Sequence, residues 1–279
     1  MATEICSVVL AAGEGRRLRP LTETVPKALC PIGNVPLLDR ALARLAELGF
    51  TGPTRVAVNA WHLADQVVAA VGDRAHLSVE SGPQPLGTAG GVAALRDWVG
   101  GRGVLVGNAD AYLAGGDLAP LLGGWDGTEV RLLGTPGPPY EFGRYRFAGH
   151  SLLPWHRVRD LAVEPGELVK RLWRDAEAAG ELTVVPYGGR YLDTGTPGDY
   201  LAANLDAAGP DGRIVAPDAD VTGTVHSAVI GAGAVVRGRV EHAVVWPGGY
   251  VGPDEHLTSA IRYGRDGTVT AAPDEGAPE

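Results

Sequence analysis

An apolar run, Ile5 to Ala12, breaks off at Gly13 and Gly15. Such a run reads as a buried first strand. The two glycines let the backbone approach a ligand closely and offer bare N–H groups to phosphate. Arg16 and Arg17 sit in the same turn, and Lys27 follows ten residues after Arg17, behind Pro26. The chain has only two lysines, Lys27 and Lys170, so a lysine here is not background; it is expected to be a solvated loop residue. Three accounts of the stretch compete. One is a structural glycine turn with solvated arginines. A dinucleotide loop is the second, but Leu18 stands where the third glycine of Gly-x-Gly-x-x-Gly belongs, and Pro20 interrupts an early helix. A Walker loop fails too, because no Gly-Lys-Ser/Thr follows. The third account is a phosphate-binding loop of another kind.

Strand and helix patterns alternate after this point. Apolar residues recur at helical spacing from Pro36 to Leu48, and Gly49 can close that helix. Arg55–Val58, His76–Glu80 and Gly103–Val106 read as strands, with helical patterns at Leu63–Val71 and Gly87–Trp98 between them. A further helix, strand and loop are expected within Gly115–Pro139. Gly143–Phe147 and Ser151–Leu153 read as strand, Leu168–Ala178 as helix and Leu182–Val185 as strand. Alternation of this kind implies an α/β fold with a largely parallel sheet, whose ligands bind off the carboxyl ends of strands. Gly13–Arg17, Asn59, Gln84–Ala89 and Asp110 all fall at that edge. Thr196, Pro197 and Asp199 have N-cap, first-turn and capping-box spacing, which explains a helix start but leaves Asp193 unexplained. From Ile214 to Gly252 short aliphatic runs return at intervals near six, with no helical period. That texture predicts a β-helix of short strands, too short to stand without a neighbour covering its ends.

Length and charge narrow the class. A chain of 279 residues, 45% hydrophobic, has ample core for one large α/β domain and a smaller one. A net charge of −9 disfavours a nucleic-acid surface. No run of about 18 apolar residues suggests a membrane span. Met1–Cys6 lacks a basic n-region, so a signal peptide is not expected and a cytoplasmic location is. Cys6 and Cys30 lack metal-ligand spacing and read as reduced, buried thiols.

Taken whole, Leu10-Ala11-Ala12-Gly13-x-Gly15-x-Arg17-Leu18-x-Pro20-Leu21-Thr22, then Pro26-Lys27, resembles the signature of the sugar-1-phosphate nucleotidyltransferases. Asp193-Thr-Gly-Thr-Pro197 resembles a second family element, and Pro85-Leu-Gly-Thr-Ala-Gly90 resembles the guanylyltransferase-like branch, as do Asn59 and His62. The resemblance implies a Rossmann-like nucleotidyltransferase domain over residues 1–208, with a mixed, mostly parallel sheet. A short left-handed hexapeptide-type β-helix over 209–264 and a tail without fixed structure over 265–279 complete the expectation.

It also implies site residues. Arg17 would hold the β and γ phosphates, Lys27 the α-phosphate and the attacking phosphate. Asp110 would be catalytic, and Asp110 and Asp193 would ligate Mg2+; the family's usual glycine before the first of these is Ala109 here. Nucleotide binding would fall to Leu10, Ala12, Gly13, Gly15, Gln84, Gly87 and Thr88, with Glu80 or Gln84 facing the base edge. The sugar phosphate would meet Gly143, Gly149 and Arg144. Relatives place a Glu-Lys-Pro motif between those glycines; here its lysine is missing, and Arg144, Arg146 and Lys170 are the candidate replacements. The expected reaction joins a nucleoside triphosphate, GTP first, to a sugar 1-phosphate, mannose 1-phosphate first. A thymidylyl- or uridylyltransferase acting on glucose 1-phosphate or an amino-sugar, heptose or cyclitol phosphate is the alternative. A non-catalytic nucleotide-sugar-binding subunit is a further one, but it would be expected to lose Arg17, Lys27 or a metal aspartate, and all are present. Neither nucleic acid nor membrane is an expected partner, and homo-oligomers would form through the β-helix.

Overall fold

The computed structural model describes residues 4–209 and 212–271. The chain divides into two units. The first comprises residues through Glu14, Pro26–Ala28 and Leu38–Tyr191; the second comprises Gly15–Val25, Leu29–Leu37 and the chain from Leu192 onward.

In the first unit seven strands form one sheet: β1 (Ile5–Leu10), β2 (Val56–Ala60), β3 (His76–Val79), β4 (Gly103–Asn108), β5 (Val130–Pro136), β6 (Tyr145–Leu153) and β7 (Leu182–Pro186). Their spatial order is β7-β5-β6-β4-β1-β2-β3. All pairings are parallel except those of β6, which runs antiparallel to β4 and β5. The two short strand readings, Gly143–Phe147 and Ser151–Leu153, are thus one continuous strand. Helices α1 (Leu37–Glu47), α2 (Ala64–Val71) and α3 (Gly87–Ala94) lie close to the predicted spans; α3 gives way at Leu95 to a separate turn, Arg96–Val99.

The β1, β2 and β4 runs are almost wholly apolar because both faces of the central strands are covered. Cys6, Val8, Val104 and Val106 join Val92, Leu153 and Leu172 in the core. Burial pushes the Cys6 thiol up to about 11, and neither cysteine is bridged. His150, on β6, is also buried, and a Cβ on its partner Gly107 would come within 2.8 Å of its Nε2. Desolvation, aided by the charge of Arg44, lowers His150 to about 4.

The second unit contains α4 (Pro197–Ala208) and the C-terminal strands. Thr196 caps α4, its Oγ1 accepting from Asp199 N at 3.2 Å, and Pro197 occupies the first turn. The strands Thr224–Ile230, Arg239–Val245 and His256–Tyr263 stack in parallel, with Val225, Val240 and Leu257 in register. Ala228, Ile230, Val236, Val240, Val245 and Val251 fill the interior of the coils. Each long strand is kinked at one left-handed residue, Ser227, His242 or Ser259, and these fall at one level of the stack. This is the β-helix that the short aliphatic intervals predict. The tail expectation needs correcting at its start. Gly267–Thr270 is a strand, antiparallel to His256–Tyr263, because it completes the exposed edge of the last coil. Residues 272–279 of that expectation lie outside the described residues.

The unit boundaries do not fall at residue 208, and α4 supplies the reason. Tyr200 is fully buried; its hydroxyl donates to Pro31 O and accepts from Trp246 Nε1 at 3.0 Å. Asn204 Oδ1 accepts from Gly33 N at 2.9 Å, and Asn34 Nδ2 donates to Ile230 O at 2.8 Å. Helix, β-helix and the Leu29–Leu37 segment therefore share one polar network.

Two outcomes follow for stability. Tyr200→Phe leaves Trp246 Nε1 and Pro31 O without the hydroxyl, which costs about 1–3 kcal/mol; thermal denaturation should show Tm lower by several degrees. An unchanged Tm would show that the network contributes nothing. For His150 the unfolded chain takes up a proton near pH 6.5, whereas the folded chain resists until about 4. Its neutral form therefore supports the fold fully above pH 6.5, and that support is lost as the pH falls toward 4, by about 3 kcal/mol at most. Urea midpoints at about pH 7 and pH 5 should separate more for the wild type than for His150→Gln; equal separations would assign the acid sensitivity elsewhere.

Candidate active site

The carboxyl ends of β1, β2 and β4 are level: Leu10 is in register with Asn59 on one side and Asn108 on the other. The chain turns to opposite sides of β1 at this point, the position where open α/β sheets hold ligands. A cavity of about 250 Å3 lies there, lined by Leu10, Ala12 and Gly13, by Gly87 and Thr88, and by Lys27 and Asp110.

A buried relay shapes its walls. Ala11 N donates to Asn59 Oδ1 at 2.7 Å. Asn59 Nδ2 donates to Glu80 Oε1 at 2.7 Å, and Glu80 Oε2 accepts from Leu86 N at 2.7 Å. Both Glu80 oxygens are thus engaged by the protein, which corrects its expected role at the base edge. Gln84, the other candidate there, is exposed and lines neither this cavity nor the second one described below. A Cβ on Gly91 would sit 2.7 Å from Asn59 Nδ2, so a glycine is required where α3 passes the relay.

The Pro85–Thr88 loop is fastened on its other side. Gly166 N donates to Leu86 O at 3.0 Å, Ala89 N to Gly166 O at 2.9 Å, and Leu168 N to Thr88 Oγ1 at 2.7 Å. Thr88 Oγ1 in turn donates to Glu167 Oε2 at 2.8 Å. Gly87 has φ of +70°, and a Cβ there would come within 2.6 Å of Gly166 O. Gly13 differs: nothing in the protein stands within 4 Å of its Cβ position. Packing does not demand a glycine there, and the strand-end backbone is left open to the cavity.

Lys27 is not the solvated loop lysine of the sequence reading. Its side chain is only 10% exposed, and its Nζ donates to Asp110 Oδ2 at 2.5 Å. A buried ammonium needs a paired anion, and the turn after β4 supplies one. Asp110 remains 39% exposed. Gly149, against whose Cβ position Ala111 packs at 2.4 Å, lets β6 pass beneath this turn. Gly143 is a left-handed turn residue, and Arg144 lies over the Tyr145 ring, 5.3 Å from its centroid. None of Gly143, Gly149 and Arg144 lines either cavity.

In the second unit Arg17 and Asp193 meet, Nη2 to Oδ2 at 3.7 Å. A Cβ on Gly195 would be 2.6 Å from Arg17 Nη2, so a larger residue there would displace the exposed guanidinium. Gly15 has φ of +62°, and its carbonyl accepts from Thr22 Oγ1 at 2.9 Å. Gly15 therefore shapes its own loop. No group of three or more His, Cys, Asp or Glu among the described residues could hold a metal ion. Asp110, paired through Oδ2 with the Lys27 ammonium, places an anionic oxygen at the first cavity.

A second cavity, about 240 Å3, shares Thr88, Asn108 and Glu167 with the first. Phe142, Phe147 and Trp173 line it. Sequence reasoning missed this wall, although two of the chain's three phenylalanines belong to it.

Residues 7–135 match the model of the MobA-like NTP transferase domain. The chain is 27% identical over 307 aligned positions to a mannose-1-phosphate guanylyltransferase of Mycobacterium tuberculosis, covering 94% of this chain and 81% of that one. It is 38% identical over 109 residues to an N-acetylmuramate alpha-1-phosphate uridylyltransferase of Neisseria meningitidis, covering 37% of this chain and 46% of that relative. The chain is thus similar to sugar-1-phosphate nucleotidyltransferases through most of its length. The fold agrees: a Bacillus anthracis structure described as a glucose-1-phosphate thymidylyltransferase superposes with a TM-score of 0.61 at 19% identity, covering 74% of this chain and 96% of that one. The matched stretch 7–135 contains every lining residue of the first cavity except Glu167. The aligned part is under half the length of the meningococcal relative, whose sugar and base are not thereby transferred to this chain.

Gly91→Ala is expected to break the Asn59–Glu80 contact, lowering stability by about 1–3 kcal/mol and loosening the Pro85–Thr88 loop. Denaturation midpoints and amide exchange at Leu86 test this. Wild-type protection at Leu86 N in the variant would mean that the relay does not hold the loop.

Proposed function

We propose that this chain transfers a nucleotidyl group from a nucleoside triphosphate to a sugar 1-phosphate, with GTP and mannose 1-phosphate as the first-choice pair. A phosphate oxygen of the sugar attacks the α-phosphorus; the bond from that phosphorus to the bridging oxygen breaks, and pyrophosphate leaves. No protein nucleophile is needed. The protein's work is to hold two anions together and to neutralise the charge that develops between them.

The observation that carries the reading is Lys27, a buried ammonium on the wall of a cavity built at the strand ends. Its role is to exchange Asp110 for phosphate oxygens at the α position. The N-terminus of α3, at Gly87 and Thr88, adds the positive end of a helix dipole at the same wall. Arg17 takes the β and γ phosphates in a bidentate fork that lysine cannot make. Asp110 and Asp193 are the proposed ligands of Mg2+, which when bound supplies positive charge to the phosphates. The guanylyl preference rests on the mycobacterial relative, whose alignment runs through 94% of the chain. The meningococcal uridylyltransferase, with higher identity over a shorter stretch, supports a uridylyl alternative.

Pyrophosphate release should be measured across five nucleoside triphosphates and a panel of sugar 1-phosphates. Fastest release with GTP and mannose 1-phosphate, dependent on Mg2+, is expected; a different fastest pair would replace that choice, and no release from any pair would refute the transferase reading. Lys27→Ala should lower kcat by about a hundredfold while circular dichroism shows the fold retained. Asp193→Asn should weaken Mg2+-dependent turnover. Wild-type kcat in folded Lys27→Ala, or wild-type Mg2+ response in Asp193→Asn, would remove that residue from the mechanism.

A further inference from the structure

We infer that Arg174 holds the phosphate of the acceptor, and that the cavity it lines is built for a sugar carrying no carboxylate. The inference rests on the transferase reading and deepens it.

The resemblance implies a lysine between the two glycine-containing strands, and residues 143–149 contain none. Its three candidate replacements do not reach the second cavity. Arg144 lies over Tyr145, Arg146 lies over Tyr191 at 5.0 Å, and neither lines that cavity; nor does Lys170. Among the described residues, the cations lining the two connected cavities are Lys27 in the first and Arg174 in the second. Local structure puts Arg174 there. The segment Val169–Trp173 forms a π-helical turn, a form often found at functional sites. Val169, Trp173 and Arg174 all line the cavity as a result. The Arg174 guanidinium sits 4.4 Å from the centroid of Phe142, itself a lining residue.

Its present anionic partner is easily exchanged. Arg174 Nη1 meets Glu177 Oε2 at 2.6 Å, but the two side chains are 47% and 40% exposed. An ion pair that open to water is worth about 0–1 kcal/mol. A phosphate offering two oxygens to the guanidinium fork competes well against it.

The rest of the cavity describes the sugar. Phe147 and Trp173 present aromatic surface, suited to the apolar face of a pyranose. Ser151 and Trp173 line the cavity, and their Oγ and Nε1 are buried with no hydrogen-bond partner among the described residues. Glu141 and Glu167 add two carboxylates to the lining. Both are exposed; they can accept from hydroxyls or amides, and their like charge disfavours a third carboxylate beside them.

The test compares wild type, Arg174→Ala and Arg174→Lys. Turnover uses the best pair from the panel, and titration calorimetry uses mannose 1-phosphate, glucose 1-phosphate and free glucose. In Arg174→Ala the KM for the sugar 1-phosphate should rise tenfold or more, with the KM for the nucleotide within twofold; Arg174→Lys should recover part of the loss. Wild type should bind the sugar phosphates in preference to glucose, and Arg174→Ala should lose that preference. N-acetylglucosamine 1-phosphate should be accepted over N-acetylmuramate 1-phosphate, which differs by an acidic ether. Unchanged sugar-phosphate KM and binding in folded Arg174→Ala would overturn the phosphate role, and equal use of the acidic sugar would overturn the charge filter. Wild type that turns over no pair would sink the transferase reading itself, leaving the calorimetric preference to decide Arg174 alone; no preference in wild type would overturn it.

Discussion

The site depends on one amide. Ala11 N lies just past the end of β1, where the sheet no longer offers it a partner. Asn59 Oδ1 accepts from it, and Asn59 must then place its own Nδ2 on an acceptor. Glu80 provides that acceptor and spends its second oxygen on Leu86 N. The chain of bonds leads from β1 through the ends of β2 and β3 to the loop before α3. Leaving any one of these buried groups unpaired costs about 1–3 kcal/mol, and the members reinforce one another in a low-dielectric interior. The strand-end backbone at Leu10–Gly13 and the Pro85–Thr88 loop are therefore fixed relative to each other before a ligand arrives, which is what positioning catalysis requires.

This relay also sets the neighbouring sequence. Gly91 is needed because a methyl group would strike Asn59, and Gly87 because its backbone is left-handed and its Cβ would strike Gly166. Glycines that look like a flexible phosphate loop are, at these two positions, packing requirements. Gly13 has no such neighbour, so packing against the protein does not require a glycine there. The same sequence texture thus divides into two physical roles that only the surroundings separate.

Local patterns explain why much was legible in advance. The apolar β1 run, the helix of α1, the Thr196 cap and the β-helix intervals are set by neighbours within a few residues. The Lys27–Asp110 pairing spans 83 positions, and its burial is invisible in a loop rich in charge. Glu80 looked like a base-reading group because its two amide partners come from distant β2 and from the next loop. The second cavity was hidden for a further reason. Its wall is assembled from Phe142, Phe147 and Trp173, which share no period and lie on β6, its preceding turn and a π-helical turn. A π turn changes the spacing at which side chains share a face, so helical periodicity across Leu168–Ala178 points to the wrong neighbours.

The scarcity of lysine bears on the chemistry. With two lysines in the chain, arginine supplies most positive charge, yet the cation held in the first cavity is a lysine. Arginine's planar fork binds strongly wherever two oxygens can be met together, and it resists desolvation less than an ammonium does. On the proposed reading, the requirements at the reacting phosphorus differ. The charge there shifts between oxygens as one bond forms and another breaks, and a compact ammonium with three rotatable donors can follow it. Such a group must also be kept from folding outward to water before substrate arrives. The 2.5 Å bond to Asp110 does this, holding Lys27 Nζ at the cavity wall with its charge balanced. On the proposed reading, a nucleotide that took over the ammonium would leave Asp110 as an uncompensated carboxylate, and a divalent cation would restore the balance. Lysine retention and the expected metal at Asp110 are thus two consequences of the same electrostatic condition.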